Sequence, residues 1–175
     1  MTRVYLSIGS NQQSEQHVRA ALDALADGFG ELLISSVYES EAVGFEGENF
    51  LNLVVGMNTR LPVAELSEWL KEVEDANGRQ RGVPRYSPRT LDLDILTYDD
   101  VVGQPGGVEL PRAEILKNAF VLLPLAEIAP DECHPTTGRT YADLWRRYER
   151  DQRLWPVRFE WRGRRISPRL DSPLV

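Results

Sequence analysis

The sequence predicts an α/β protein whose main elements follow one another as β-α-β-β-α-β, the split βαβ arrangement. Two observations support this prediction. Short runs rich in Val, Ile, Tyr and Leu, bounded by Gly, Asn or Pro, are typical of strands. Between them, apolar residues recur three and four positions apart, as on the buried face of a helix. The 175 residues suffice for one domain with a full core, and they contain no internal repeat.

The elements follow in order along the chain. Strands are predicted from the apolar runs at residues 4–8, 32–38, 50–57 and 90–98. The first helix has Ser14 as its predicted N-cap and ends at Gly28 and Gly30. The second helix has Pro62 in its first turn and ends at Gly78. Further helices are predicted at residues 119–126 and 141–150, and a hairpin turn at residues 103–107.

A change of composition divides the chain into a single domain, residues 1–150, and a C-terminal extension, residues 151–175. The extension is basic, and its aromatic residues are Trp155, Phe159 and Trp161. Aromatic side chains contribute large apolar areas when they are buried. We therefore expect the extension to pack on the domain or at an interface.

Composition also excludes several classes of protein. No apolar stretch approaches the roughly 20 residues of a membrane-spanning helix, and the first residues do not resemble a signal peptide. The single cysteine, Cys133, cannot form an internal disulfide, and with only two histidines it makes a poor soft-metal site. We therefore expect a cytoplasmic protein with no membrane partner.

Charge is distributed unevenly. Residues 1–136 hold 10 basic and 22 acidic residues, whereas residues 137–175 hold 10 basic and 5 acidic residues. The acidic body argues against nucleic acid as a partner, because phosphates attract basic surfaces. Only 2 of the 20 cations are lysine. Arginine binds phosphate and carboxylate groups at two points, so this bias favours an anionic ligand, with genomic composition as the alternative explanation.

The strongest local signal is a pair of aspartates, Asp92 and Asp94, inside the fourth predicted strand. Aspartate is depleted in strands, and residues two apart point to the same face, about 7 Å apart. Leu91, Leu93 and Ile95 would then face the core. Two carboxylates on one face are ligands that Mg²⁺ accepts together with phosphate oxygens. The alternative is a solvated acidic face.

An arginine-rich loop precedes this strand. Its arginines, spread over 11 residues among Gly and Pro, are Arg79, Arg81, Arg85 and Arg89. Cations on such a loop beside a metal site are what a polyphosphate requires, since metal and arginine neutralise different oxygens. A plain surface loop is the alternative. The P-loop motif is absent from the sequence.

Four ordered segments resemble the 6-hydroxymethyl-7,8-dihydropterin pyrophosphokinase family of the folate pathway. They are residues 5–11 (YLSIGSN), 50–52 (FLN), 85–95 (RYSPRTLDLDI) and 120–130 (FVLLPLAEIAP). The resemblance covers residues 3–150. It implies a ferredoxin-like three-layer sandwich with a mainly antiparallel sheet. It also implies an enzyme that moves pyrophosphate from ATP to the hydroxymethyl group of the pterin and leaves AMP.

The resemblance further implies roles for individual residues. Two Mg²⁺ ions would lie on Asp92 and Asp94, which with Arg79 and Arg81 form the catalytic set. ATP contacts are expected from Glu74, Arg81, Tyr86, Arg89, Ile95 and Arg112. Pterin contacts are expected from Ser40, Val43, Phe50, Asn52 and Phe120. A flat heterocycle favours stacking between the two phenylalanines, and an amide suits its polar edge. We expect a monomer or a weak homodimer.

The chain departs from the family pattern at several positions. Arg112 replaces a usual histidine, Asn118 a usual arginine, and Glu41 a usual proline; Tyr86 and Ser87 replace a usual Trp-Gly pair. Two other functions therefore stay open at this point. One is a divergent relative with an altered acceptor or weakened turnover. The other is a non-catalytic pterin- or nucleotide-binding protein with the same fold.

Overall fold

The computed structural model describes residues 1–41, 48–78, 90–149 and 151–170. Its strands are β1 Thr2–Ser10, β2 Leu33–Ile34, β3 Val37–Ser40, β4 Phe50–Thr59, β5 Asp92–Tyr98, β6 Leu154–Val157, β7 Phe159–Trp161 and β8 Arg164–Ser167. Its helices are α1 Ser14–Phe29, α2 Val63–Ala76, α3 Glu114–Lys117, α4 Ala119–Ile128 and α5 Tyr141–Arg146. One turn of 3₁₀ helix, Pro105–Gly107, lies between β5 and α3.

The main sheet has the strand order β5-β1-β4-β3-β6, with β2 also paired to β4. Every one of these pairings is antiparallel. Strand β1 lies between β5 and β4, and its ladder with β4 runs without a break from Thr2 opposite Thr59 to Ser10 opposite Leu51. The prediction of a mainly antiparallel sheet is therefore confirmed.

Both faces of this sheet are buried. Apolar residues of α1 and α2 pack on one face, in a cluster that includes Leu91, Leu93 and Ile95 as the alternation in β5 predicts. Residues of α3, α4 and α5 pack on the other face around Tyr5 and Val54. Both faces of strand β4 lie in a core, which explains the unbroken apolar run at residues 53–57. Helices, sheet and helices form the three predicted layers.

One predicted strand is divided in the structure by contacts with other parts of the chain. The strand predicted at residues 32–38 is interrupted between β2 and β3 at the fully buried Ser35 and Ser36. Ser35 Oγ accepts the Val54 amide at 2.9 Å, while the Ser36 hydroxyl donates to Glu127 at 2.9 Å. These side chains take the place of regular ladder bonds.

The helix ends differ as well. Ser14 is the first helical residue, and Gln13 in the left-handed region is the N-cap. The Ser14 hydroxyl instead donates to the Ser10 carbonyl at 2.8 Å. Helix α5 ends at Arg146, short of the predicted residue 150, and its C-terminal cap is Arg147.

The C-terminal residues join this packing. Strand β6 pairs with β3, and the β7–β8 hairpin lies against α1. Trp161 is buried, and its indole nitrogen donates to Asp23 of α1 at 3.0 Å. The Arg19 guanidinium lies over the Phe159 ring, 4.5 Å from its centroid. Among the described residues, no helix combines the length and apolarity needed to span a membrane.

Candidate active site

Three neighbouring strands place a row of residues across one face of the sheet. Gly9 of β1 lies opposite Asn52 of β4 on one side and opposite Asp92 of β5 on the other. Residues directly opposite in antiparallel ladders point to the same face, and adjacent strands lie about 4.8 Å apart. Asn52 and Asp92 therefore face the same side, about 10 Å apart, with the bare backbone of Gly9 between them.

Strand geometry extends the row on both sides. Phe50 and Asn52 are two residues apart on β4, and Asp92 and Asp94 are two apart on β5, so each pair shares a face. This is also the face covered by α4, whose Leu122 packs with Val54. Phe120, in the first turn of α4, is partly buried against the same cluster.

A cleft of about 430 Å³ lies beside the acidic end of β5. Its polar wall combines Asp92 and Asp94 with residues of α2 and the segment that follows β5. The lining residues are Ser67, Leu70, Lys71, Glu74, Asp92, Leu93, Asp94, Ile95, Gly106, Gly107, Val108, Glu109 and Arg112. The cleft therefore brings together five residues to which the sequence analysis assigned ATP or metal contacts: Glu74, Asp92, Asp94, Ile95 and Arg112.

The two aspartates are held in an electrostatically unfavourable arrangement. The Asp94 side chain is only 26% exposed. Burial, followed by the charge of Asp92, raises the pKa of Asp94 to about 8, against the opposing effect of Arg112. Removing a carboxylate from water and placing it beside a second one both disfavour its charged form. A cation at this position would relieve the repulsion.

Arg112 connects two acidic groups at the rim of the cleft. Its Nη2 lies 3.5 Å from Asp94 Oδ1, and its Nε lies 3.0 Å from Glu114 Oε2. Its backbone amide donates to the Leu96 carbonyl at 2.9 Å, which fixes the residue beside β5. Sequence reasoning did not find Glu114. The available signal was its position two residues after Arg112.

Glu74 joins the two walls of the cleft. It is buried on α2, and its Oε2 accepts the backbone amide of Leu93 at 2.8 Å. Strand β5 is at the edge of the sheet, so this amide points away from β1 and receives its partner from the helix. A buried carboxylate that accepts a backbone amide holds α2 at a defined distance from the aspartates.

At the other end of the row, a buried amide is already held in place. Asn52 Nδ2 donates to Ser40 Oγ at 2.7 Å, and both residues are buried. A Cβ placed on Gly9 would lie 3.3 Å from Asn52 Oδ1 and 3.9 Å from Phe50 Cδ1. Glycine at this position therefore keeps the space beside the amide oxygen open, a role that sequence reasoning had not given it.

The donor groups of the cleft fit a magnesium ion. Asp92 and Asp94 supply carboxylate oxygens, and no cluster of three or more His, Cys, Asp or Glu side chains suited to a metal occurs in the part of the chain that the structure describes. Mg²⁺ is commonly bound by one or two carboxylates together with water and substrate phosphates. A two-carboxylate site in a cleft meets that requirement.

Several predicted site residues lie outside the described residues, namely Val43, Arg79, Arg81, Tyr86 and Arg89. Glu41 is described and exposed, with its carboxylate 3.9 Å from Arg153 Nη1. Neither histidine is in the lining of the cleft. The His17 ring contacts the Gln12 carbonyl at 2.6 Å, and His134 Nδ1 accepts the Thr136 amide at 3.3 Å.

Comparisons with known proteins identify the family and the fold. The family model of 7,8-dihydro-6-hydroxymethylpterin-pyrophosphokinase (HPPK) matches residues 5–130. A 2-amino-4-hydroxy-6-hydroxymethyldihydropteridine pyrophosphokinase of Aquifex aeolicus is 38% identical over 137 residues, 77% of this chain and 85% of that protein. The enzyme of the same name from Pseudomonas aeruginosa is 36% identical over 134 residues, 74% of this chain and 82% of that protein.

Among solved structures, the fold resembles that of the HPPK-DHPS protein of Plasmodium falciparum. The TM-score is 0.65 at 14% identity, over 85% of this chain and 44% of that one. The chain thus spans less than half of that protein, and the likeness concerns the fold. The two sequence matches described above, by contrast, cover most of this chain and most of each of those two relatives. The chain therefore belongs to the 7,8-dihydro-6-hydroxymethylpterin pyrophosphokinase family, and it transfers pyrophosphate from ATP to hydroxymethyldihydropterin in a Mg²⁺-dependent reaction of folate synthesis.

Proposed function

We propose that the row from Asn52 to Asp92 is the line along which this transfer takes place. The pterin occupies the Asn52 end, and the ATP phosphates occupy the cleft at the Asp92 end. The observation that supports this most directly is the ladder register, in which Gly9 lies opposite both residues. It puts an amide and a carboxylate on one face about 10 Å apart, a separation suited to a bicyclic ring with its hydroxymethyl arm.

At the phosphate end, Asp92 and Asp94 would hold the two Mg²⁺ ions that the family resemblance implies. The metal supplies charge neutralisation on the phosphate oxygens when it is bound. Arg112 presents its guanidinium from the rim of the cleft, and Glu114 holds it there through the 3.0 Å contact. Glu74 and Ile95 line the same cleft and bound the nucleotide. From the family resemblance, Arg79, Arg81, Tyr86 and Arg89 complete the ATP contacts.

At the pterin end, Asn52 offers its carbonyl oxygen to the polar edge of the ring. Its amide nitrogen is engaged by Ser40, so the side chain is held in one orientation. A preset amide selects a ring by its pattern of donors and acceptors. Phe50 and Phe120 supply aromatic faces for the flat ring, and Val43 belongs to the same set by resemblance.

The chemical step requires the hydroxymethyl oxygen to approach the β-phosphorus of ATP in line with the departing AMP. Phosphoryl transfer depends chiefly on positioning and on stabilising charge, with little covalent work by the protein. Here Asn52 and the two phenylalanines position the hydroxymethyl oxygen. Arg112 and the loop arginines stabilise the negative charge that develops on the departing oxygen of AMP.

The expected cellular setting and partners follow from the composition of the chain together with the family resemblance. The protein works in the cytoplasm as a monomer or weak homodimer, with ATP and a pterin as its ligands and no nucleic acid. Salt-dependent retention on a generic DNA duplex would contradict the last of these statements.

The deciding experiment measures AMP release from MgATP and 6-hydroxymethyl-7,8-dihydropterin. Wild type is compared with Asp92→Asn and with Asp100→Asn, a matched change at an exposed aspartate just beyond β5. We expect pterin- and Mg²⁺-dependent AMP from wild type and Asp100→Asn, and a loss of about 10³-fold or more in Asp92→Asn. Near wild-type turnover in Asp92→Asn would overturn the assignment of the cleft.

A further inference from the structure

The first turn of α4 is capped in an unusual way. In the described residues, the side chain of the N-cap residue, Asn118, makes no hydrogen bond to the amides of the first helical turn. An uncapped N-terminus leaves backbone donors without partners, and a side chain that supplies a partner stabilises the helix. The Asn118 carbonyl accepts the amides of Val121 and Leu122, both at 3.0 Å, which defines where the helix begins.

The missing cap comes from a distant part of the chain. Gln152, which lies 33 residues beyond Ala119, accepts the Ala119 amide on its Oε1 at 2.8 Å. Its Nε2 lies 3.3 Å from both the Lys117 carbonyl and Asn118 Oδ1. One partly buried side chain thus bonds to three consecutive residues, 117 to 119, where α3 ends and α4 begins.

The same short segment also reaches the other side of the pterin site. Two residues after Gln152, strand β6 begins at Leu154, which pairs with Ser40 at the end of β3. Ser40 in turn accepts the Asn52 amide. Residues 152–154 therefore connect the helix that presents Phe120 to the strand that orients Asn52. They lie beyond the span that the family model matches.

We infer that Gln152 is a positioning residue for the pterin, acting through α4 to fix the place of Phe120. This inference rests on the pterin-binding role proposed above for Phe120. Phe120 directly follows the amide that Gln152 caps, so fraying of this turn would move the ring first. The phosphate cleft has no lining residue in α4 or in residues 152–154, so ATP binding should be unaffected.

The test compares two substitutions at the same position. Gln152→Met keeps the length of the side chain but has no oxygen for the Ala119 amide. Gln152→Glu keeps an oxygen for the Ala119 amide, where a negative charge at a helix N-terminus is favourable, but it loses the Nε2 donor that faces the Lys117 carbonyl and Asn118 Oδ1. The matched control is Gln16→Met, at an exposed glutamine on α1. Steady-state KM is measured for each substrate, with the dissociation constant of the pterin from its fluorescence.

We expect Gln152→Met to raise the KM and the dissociation constant of the pterin by about threefold to tenfold, the loss that one cap produces. The KM for MgATP should stay within about twofold of wild type, and Gln152→Glu should restore part of the pterin binding, because it restores the contact with the Ala119 amide alone. Equal changes in both KM values, an unchanged pterin KM in Gln152→Met, or no restoration by Gln152→Glu would each overturn the inference. If Gln152→Met does not fold, Gln152→Asn, one methylene shorter, replaces it.

Phe120→Ala separates this inference from the site proposal beneath it. If Phe120→Ala weakens pterin binding and Gln152→Met does not, the role of Gln152 is wrong and the pterin site stands. If Phe120→Ala leaves pterin binding unchanged, the assignment of Phe120 is wrong, and the inference about Gln152 fails with it.

Discussion

The two ends of the candidate site are prepared for their ligands in opposite ways. At the pterin end, Asn52 and Ser40 are buried and already bonded to one another at 2.7 Å. At the phosphate end, Asp92 and Asp94 are crowded in a cleft where the pKa of Asp94 is raised to about 8. The two polar side chains at one end bond to each other, whereas at the other end two neighbouring carboxylates disfavour each other's charged form.

The two ends therefore affect fold stability and ligand binding in different ways. A satisfied buried pair stabilises the fold and selects a ligand by shape and hydrogen bonding. A pair of neighbouring carboxylates lowers the stability of the ligand-free fold. The repulsion between them is relieved when a cation binds, and this relief adds to the affinity for the cation. Substitutions at the two ends should therefore have opposite effects on stability, although both impair the reaction.

Asp94→Asn should give the largest effect and the clearest contrast. Because Asp94 is one of the two metal ligands that we propose, its replacement should lower kcat about 10³-fold or more. The same change removes a charge that the fold disfavours, so the metal-free protein should melt about 2 to 4 °C higher near pH 8. Turnover is measured by AMP release and melting by calorimetry in EDTA. A lower melting temperature would contradict the idea of a strained pair, with Asp100→Asn as the control.

Asn52→Ala should act in the other direction on stability. It leaves the buried Ser40 hydroxyl without its partner, which costs about 1 to 3 kcal/mol and lowers the melting temperature by about 3 to 10 °C. The dissociation constant of the pterin should rise about tenfold to hundredfold, with little change for ATP. Asn58→Ala, at an exposed asparagine in the same strand, should change neither. Equal losses for both ligands would place Asn52 in a purely structural role.

The pH dependence of Mg²⁺ binding tests the phosphate end alone. The raised pKa of Asp94 means that a proton must leave before the carboxylate can bind a cation. Apparent affinity for Mg²⁺ should therefore fall by up to about tenfold per pH unit below pH 8. The folded metal-free protein should lose stability as the pH rises from the ordinary value of 3.8 to about 8, since the fold favours the protonated form. Titration calorimetry in two buffers would detect the released proton, and its absence would contradict the shift.

The sequence predicted those parts of the site that depend on neighbours along the chain. Asp92 and Asp94 stood out because alternation with leucines fixes which face a strand residue occupies. The register that sets Gly9 between Asn52 and Asp92 joins three strands distant in sequence, and local patterns do not encode it. The capping of α4 by Gln152 was unpredictable for the same reason.

The break between β2 and β3 shows how tertiary contacts override local preference. Residues 32–38 form an apolar, β-rich run with two serines in it, and the run alone predicts one strand. The buried Glu127, far along the chain, accepts hydrogen bonds from Ser36 and Tyr38. Its carboxylate satisfies polar groups that a continuous strand would have bonded to a neighbouring strand.

Gly9→Ala should give the smallest effect, and it tests whether the space between the two ends matters. The backbone of Gly9 is outside the left-handed region, so alanine fits it without strain. The added Cβ would lie 3.3 Å from Asn52 Oδ1, which must shift by a few tenths of an ångström. The KM for the pterin should rise about threefold to tenfold, with little change in melting temperature.

Gly56→Ala is the matched control for this last change. A Cβ there would lie 2.8 Å from Tyr5 Cε1, inside the core and away from Asn52. It should lower the melting temperature and leave the pterin KM within about twofold of wild type, because the overpacking falls on the fold. If instead both glycine variants raise the pterin KM alike, the site responds to any disturbance of the sheet. The open space at Gly9 would then have no specific role in pterin binding.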